Sequence, residues 1–211
     1  MSDIKNYRTD YGKQELNHKD LPENPIQLFN AWLQEAIDTI DKDANAFILS
    51  TVDTNAFPST RVLLLKEVSD EGFVFFTNYN SNKGNEMEVN PKVGLNFFWP
   101  SLERQVRVQG VVKKVSDVVS DSYFQSRPYK SQIGAWASEQ SSRLDSRASL
   151  EERFHHFSKK HPQEVPRPQH WGGYIVKPKN IEFWQGRASR LHDRFTFTLH
   201  QGKWKVDRLF P

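Results

Sequence analysis

The 211 residues contain no cysteine, which removes disulfides, thiolate catalysis, iron–sulfur clusters and cysteine-type zinc sites, and is compatible with a reducing cytoplasm. No apolar run approaches the ~18 residues of a spanning helix, and the opening Met1-Ser-Asp-Ile-Lys-Asn6 lacks the apolar stretch of a secretory leader. The expectation is a soluble, cytoplasmic chain with no membrane partner. Also absent are a Gly-x-Ser-x-Gly elbow, a P-loop, a Gly-x-Gly-x-x-Gly turn and a defensible carboxylate pair, so hydrolase, kinase and Rossmann readings are weak. Neither charge dominates. Twenty-nine Lys and Arg face 26 Asp and Glu, a net +3, which gives no argument for a nucleic-acid partner. His155 and His156 point about 100° apart on a helix with no evident carboxylate ligand, so no metal site is expected.

What is abundant is aromatic: 15 Phe, 6 Trp and 6 Tyr favour a strand-rich core with aromatic-lined pockets. Residues 1–23 are polar and read as an N-terminal arm ordered only when docked, and 24–211 as a single domain. Asn24-Pro25 starts an amphipathic helix whose inner face is Phe29, Trp32, Leu33, Ala36, Ile37 and Ile40. Short strand-like runs follow at 46–52, 61–66, 73–77, 93–99 and 105–115, divided by turn signals. This spacing argues for an antiparallel meander closing into a barrel, mainly β with α decorations. The apolar run at 62–65 implies burial on both faces: one fills the barrel, and the other needs a helix or a second subunit over it. Helices are predicted at 81–89, at 117–125, from about Ser131, and at 150–160 with Ser149 as its cap. Three more strand regions close the chain, at 173–176, at 181–184 and in a terminal hairpin.

Cationic residues cluster in three places. Arg61, Lys66 and Lys83 form one group, with Lys83 at a helix start, where free N–H groups and the helix dipole favour an anion. Arg61 and Lys66 have opposite strand parity, so they share a ligand only through a bulge or long reach. Tyr123 and Arg127 are four apart at a helix end, and Ser131 begins the next helix; together they are a candidate second phosphate cradle, the alternative being that Tyr and Arg at a helix end are packing and capping groups. The third group lies in Glu182–Arg194, where three arginines, a histidine and a tryptophan fall within thirteen residues. Extended over 190–198, this segment puts Arg190, His192 and Arg194 on one face and Leu191, Asp193 and Phe195 on the other. Two cationic neighbours favour neutral His192.

The segments Glu182-Phe-Trp-Gln-Gly, Arg190-Leu-His-Asp-Arg194 and Asp207-Arg-Leu-Phe-Pro211 resemble the pyridoxamine 5′-phosphate oxidase family. So do Arg61-Val-Leu-Leu-Leu-Lys66, Glu103-Arg-Gln-Val106, Tyr123-Phe-Gln-Ser-Arg-Pro128, Ser131-Gln-Ile-Gly-Ala-Trp136, Gln140-Ser-Ser-Arg143 and Trp171-Gly-Gly173, in order over nearly the whole chain. The resemblance implies an FMN-binding split β-barrel, Greek-key-like with peripheral helices, forming a homodimer with both active sites at its interface. It implies oxidation of pyridoxamine or pyridoxine 5′-phosphate by O2 to pyridoxal 5′-phosphate and H2O2, with ammonia from the amine, in vitamin B6 biosynthesis and salvage. Arg61, Val62, Leu63, Leu64, Leu65 and Lys66 would lie along FMN, with Phe76, Thr77, Asn82 and Lys83. Gln105, Gln140, Ser141, Trp184 and Arg194 would complete the flavin site, some of them from the partner. Asn82 stands where the family often has arginine, so a neutral amide replaces one charge contact to FMN. Lys66, Tyr123, Arg127 and Ser131 would grip the substrate phosphate. Arg190, Leu191 and His192 would hold the pyridine ring, with Arg190 and His192 as the catalytic pair. Arg8 and Tyr11 match an arm that closes over the site. Two alternatives stand beside this: a flavin-binding split-barrel oxidoreductase with a different substrate, and a barrel binding single-stranded nucleic acid.

Overall fold

The computed structural model describes residues 3–6 and 9–211. Helix α1 (Pro25–Thr39) starts as its sequence dictates. The Asn24 side chain accepts the Ile26 N–H at 3.0 Å, and Pro25 occupies a first position that has no N–H bond to lose. Ile26, Phe29, Trp32 and Ala36 are buried, but Ile37, expected inside, is 51% exposed. It lies about 80° round the helix from Phe29, at the edge of the apolar stripe.

Nine strands follow in one sheet: β1 (Ala46–Val52), β2 (Pro58–Leu64), β3 (Glu67–Ser69), β4 (Gly72–Asn78), β5 (Lys92–Trp99), β6 (Arg104–Lys114), β7 (Trp171–Gln185), β8 (Asp193–His200) and β9 (Lys203–Arg208). Their order is β2-β1-β5-β6-β7-β4-β3, with β8 added to β7 and β9 to β8, and every pairing is antiparallel. Between β2 and β3 the Leu65 N–H bonds Asn45 O and the Lys66 N–H bonds Val74 O, both at 2.9 Å, which draws the two ends of the sheet together. The aromatic content is spent inside. Phe29 meets Phe73 edge-on at 4.9 Å and Phe97 at 4.8 Å, and the Trp99 indole N–H finds Ala44 O at 2.8 Å.

The two short strands expected at 173–176 and 181–184 are one strand, β7. Pro178 donates no ladder bond, but the register shifts at Gln109/Gly110, where Gly110 faces Pro178, so the proline sits in a bulge. Helix α2 (Asn82–Val89) is capped by Ser81, and a Cβ on its Gly84 would fall 1.9 Å from Tyr79 O, so glycine here lets the helix start lie against that turn. Helices α3 (Asp117–Ser126) and α4 (Tyr129–Ala137) flank Pro128, and α4 begins before Ser131 because the Ser131 N–H already bonds Pro128 O. Helix α5 (Arg147–Lys160) is capped by Ser146 rather than Ser149. Ser146 Oγ accepts the Ser149 N–H at 3.1 Å, which places Ser149 inside the first turn.

The run at 62–65 divides as strand parity requires. Leu65 is buried, whereas Val62 (65% exposed) and Leu64 point outward together with Ile48 and Phe98 (51% exposed). Cα pairing of Ile48 with Val62 and with Asn96, two residues from Phe98, puts these side chains on one outer face. Among the described residues no helix is long and apolar enough to cross a membrane.

Candidate active site

Arg127 follows α3 as its C-cap, turned out of the helix by Pro128. Its guanidinium lies over the Trp171 ring at 4.5 Å and the Phe124 ring at 5.6 Å, and its Nη1 is buried with no hydrogen-bond partner. Burial lowers its pKa, and nearby Tyr123 pulls in the other direction. Trp171, Phe76 and Tyr123 form a parallel stack, with Phe76 and Tyr123 centred 3.9 Å apart. Arg127 opens into a cavity of about 290 Å³ lined by Asn78, Ser131, Gly134, Ala135, Ser138, Gln140 and Trp171. A half-buried cation whose buried Nη1 has an unspent donor, beside a hydroxyl and amides, is matched by an anion with several acceptor oxygens.

A neighbouring cavity of about 260 Å³ is lined by Arg61, Val62, Leu63, Asn82, Lys83, Gln140 and Ser141. Lys83 is buried in the first turn of α2 with its Nζ 3.2 Å from Ser81 Oγ. Burial first, and then Arg61, lower its pKa, while Glu86 opposes them. Arg61 is held by Glu86 Oε2 at 3.2 Å, Ser59 O at 3.2 Å and the Thr51 hydroxyl. Two cations, two amides and a serine beside a helix start fit a second phosphate monoester. The cavities share Gln140, whose Oε1 accepts from buried Thr77 Oγ1 at 3.4 Å.

Lys66 is in neither cavity. It follows β2, is exposed, and lines a separate depression of about 570 Å³ with Leu33 and Ile37 of α1 and Ile40, which caps that helix. Leu65 faces the core and Leu64 the outer sheet face, so only Arg61, Val62 and Leu63 of the 61–66 segment line the Lys83 cavity.

The remaining residues gather at the other end of β7. Gln105 pairs across the ladder with Trp184, and Trp184 with Arg194. Gln105 Nε2 donates to Asn96 Oδ1 at 2.7 Å. The Trp184 ring lies 4.5 Å from that of His192, and Tyr11 meets both, at 5.8 and 5.9 Å. Arg8 lies outside the described residues. The extended geometry expected for 190–198 begins only at Asp193. Residues 188–190 form a 3-10 turn in which Ser189 and Arg190 are left-handed, at φ 57° and 63°. Arg190 therefore projects from a turn, Leu191 is 70% exposed, and of the three residues expected on the opposite face only Asp193 and Phe195 share a buried side, which continues to Phe197. Arg194 gives Nε and Nη2 to Glu182 Oε1, at 2.9 and 2.8 Å, and Nη1 to Phe210 O at 2.8 Å.

His192 Nδ1 accepts the Arg187 N–H at 3.1 Å. This bond assigns the neutral ring's proton to Nε2. Its pKa is lowered, as expected, but the leading cause is burial; Arg190 adds to it and Asp193 opposes, while Arg194 is spent on Glu182. Trp171 and Trp184 are thirteen residues apart on β7, up to about 40 Å at ~3.3 Å per residue. The two groups of candidate residues thus lie toward opposite ends of one strand.

Sequence reasoning assigned no role to Trp171, the platform under Arg127, nor to the carboxylates Glu86, Glu103, Glu182 and Asp193. Trp171, Glu103, Glu182 and Asp193 all lie within motifs that carry the family resemblance, and only Glu86 does not. The carboxylates find their partners through tertiary contacts that carry no local spacing signal.

The family profile "Pyridoxamine 5′-phosphate oxidase" matches residues 33–161, and "Pyridoxine 5′-phosphate oxidase C-terminal dimerisation region" matches 171–211. The pyridoxine/pyridoxamine 5′-phosphate oxidase of Neisseria gonorrhoeae is 51% identical over 209 residues, covering 99% of this chain and 100% of the relative. That of Actinobacillus pleuropneumoniae serotype 5b is 52% identical over the same shares. Among solved structures, PhzG from Burkholderia lata in complex with tetrahydrophenazine-1-carboxylic acid superposes with a TM-score of 0.90 at 25% identity, covering 96% of this chain and 100% of that one. An FMN-binding pyridoxamine 5′-phosphate oxidase-related protein from Nostoc punctiforme gives 0.73 at 15% identity, covering 90% of this chain and 100% of that one, a likeness of fold. With the split-barrel architecture and full-length relatives at about half identity, the chain belongs to the pyridoxamine 5′-phosphate oxidase family.

Proposed function

We propose that this protein is an FMN-dependent oxidase that converts pyridoxamine 5′-phosphate and pyridoxine 5′-phosphate, with O2, to pyridoxal 5′-phosphate and H2O2. The observation that carries the reading is the buried, unpartnered Nη1 of Arg127, in a cavity that shares Gln140 with a second cationic cavity. Two phosphate esters, one on the cofactor and one on the substrate, answer two such cradles. FMN, when bound, supplies the two-electron acceptor and the route by which oxygen is reduced.

The chain's own residues do the rest. Arg61, Lys83, Asn82, Ser141 and Gln140 hold the cofactor phosphate side, with Phe76 and Thr77 behind them. Gln105, Trp184 and Arg194 complete the ring side, Arg194 with its guanidinium already oriented by Glu182. Arg127, Tyr123 and Ser131 grip the substrate phosphate; Lys66 has that role by resemblance only, since it lines a separate depression beside α1. Arg190, Leu191 and His192 hold the pyridine ring, and Tyr11 covers it. Because His192 Nδ1 is taken by the Arg187 N–H, neutral His192 meets the substrate as an Nε2–H donor. To accept a proton it must break that bond. Its role is therefore orientation, with proton movement subordinate to it.

A homodimer brings the Trp184–His192 end of one β7 to the Arg127 and Lys83 cavities of its partner. The outward Val62, Leu64, Ile48 and Phe98 support this, as does the family's description of 171–211 as a dimerisation region. Mixing Arg127→Ala and His192→Ala protein after dissociation and reassociation should restore about a quarter of wild-type activity. Random pairing makes half the dimers mixed, and half the sites in those carry no lesion. Activity no higher than the sum of the two variants would mean that both residues act within one chain.

The direct test incubates the protein with FMN and pyridoxamine 5′-phosphate under air and follows aldehyde and peroxide together. Flavin binding without either product overturns the reading. In the same assay His192→Ala should lower turnover about 10²-fold with FMN content unchanged; equal loss of both contradicts the division of roles. The lowered His192 pKa keeps the ring neutral below the ordinary value of about 6.5, so its protonation should reduce kcat/KM only at more acid pH. An acid limb above that value that disappears in His192→Ala would reverse the assignment.

A further inference from the structure

We infer that Glu103 is a positioning residue that seats Tyr11 on His192 and Trp184. Glu103 ends the short 3-10 turn Pro100–Leu102 in the left-handed region, at φ 54°. Glycine would take that backbone with less strain, yet the chain places a glutamate there. Its side chain accounts for the choice. The carboxylate belongs to a residue only 7% exposed, and its Oε2 accepts the N–H of Gly12 at 2.8 Å and of Lys13 at 3.0 Å. These are the two amides immediately after Tyr11, and among the described residues this carboxylate has no cationic partner, so they are its compensation. The Glu103 carbonyl also accepts the Gly186 N–H at 2.7 Å, which ties the same residue to the strand end just past Trp184. A Cβ on Gly186 would stand 2.9 Å from Tyr11 Cγ and 3.0 Å from Glu103 Cβ, so the absence of a side chain there makes room for both. Glu103 thus connects the arm to the Trp184 strand at the point where Tyr11 meets the His192 ring. Farther along, Leu16 N–H to Asp193 and Glu15 to Arg187 hold the arm by separate contacts.

The inference rests on the oxidase reading for its kinetic arm and stands apart from it for its structural one. In the FMN-loaded full-length protein, Glu103→Ala should speed hydrogen exchange of the Gly12 and Lys13 amides by about 10-fold or more, as loss of charge-assisted bonds requires. It should raise KM for pyridoxamine 5′-phosphate about 10-fold with kcat nearly unchanged. The double variant with Tyr11→Ala should be no worse than Tyr11→Ala alone, because residues acting in one unit are not additive. Glu103→Gln keeps an acceptor oxygen and similar volume; it should fall between wild type and Glu103→Ala, and it carries the test if the alanine variant fails to fold. Unchanged exchange at the two amides, or losses that add in the double variant, would overturn the assignment. If wild type shows no oxidase activity the functional reading falls, while the exchange measurement still decides the role of Glu103.

Discussion

Replacing Arg127 with methionine should raise KM for pyridoxamine 5′-phosphate by about two to three orders of magnitude, the loss expected on deleting one partner of a buried charge pair, while FMN content stays at the wild-type level. The separation follows from the cavities: Arg127 lines the one with Ser131 and Trp171, and the cations of the other are Arg61 and Lys83. Methionine sets a polarisable thioether against Trp171 in place of the guanidinium that lies over that ring, so contact with the ring can be kept while the charge and the donors are lost. A second sign accompanies the first. Without substrate the wild-type chain keeps a buried donor unsatisfied, so Arg127→Met should melt at the same temperature or higher, whereas substrate should stabilise only the wild type strongly. A variant that loses flavin and substrate affinity in parallel, or that melts much lower on its own, would show Arg127 to be a structural strut.

Placing aspartate at both Ile48 and Phe98 should yield a monomer in sedimentation and lower activity by at least about 100-fold, since unpaired charge in a desolvated apolar interface costs several kcal/mol. Both side chains are on the outer sheet face, 37% and 51% exposed in the single chain, and neither lines the Arg127 or Lys83 cavity. Phe98 is the ladder partner of Gln105, and Ile48 that of Asn96, which Gln105 bonds, so FMN content measured alongside separates damage at Gln105 from loss of the dimer. On the shared-site proposal the loss follows because the Trp184–His192 group and the Arg127 group lie toward opposite ends of β7 in one chain and need the partner to meet at one ligand. A fully active monomer would eliminate the shared-site arrangement, and an unchanged dimer would move the interface elsewhere.

What the sequence made legible was local. Asn24-Pro25 and Ser81 announce their helices because capping is a contact between neighbours, whereas Tyr123 and Arg127, expected on one helix face, are separated by the helix end: Arg127 is the extended C-cap that Pro128 turns outward. The outward apolar side chains of β2 were legible as needing a cover. Position in space was not legible where it depended on distant partners. Pro178 marks a break in the sequence but not in the sheet, since the bulge that absorbs it belongs equally to Gly110 across the ladder. Ser189 and Arg190 adopt left-handed backbone without glycine or asparagine to signal it, so the row of Arg190, His192 and Arg194 dissolves into a turn and one strand residue. Lys66 carried a role by resemblance, but its place beside α1 depends on where β2 ends.

Gln140 forms part of the wall of both chambers, and this common boundary has a thermodynamic corollary. Any preference it acquires when one anion is seated alters the welcome given to the other, and the change in affinity must be identical whichever molecule arrives first. Loading order can change the speed of assembly, but not the occupancy finally reached.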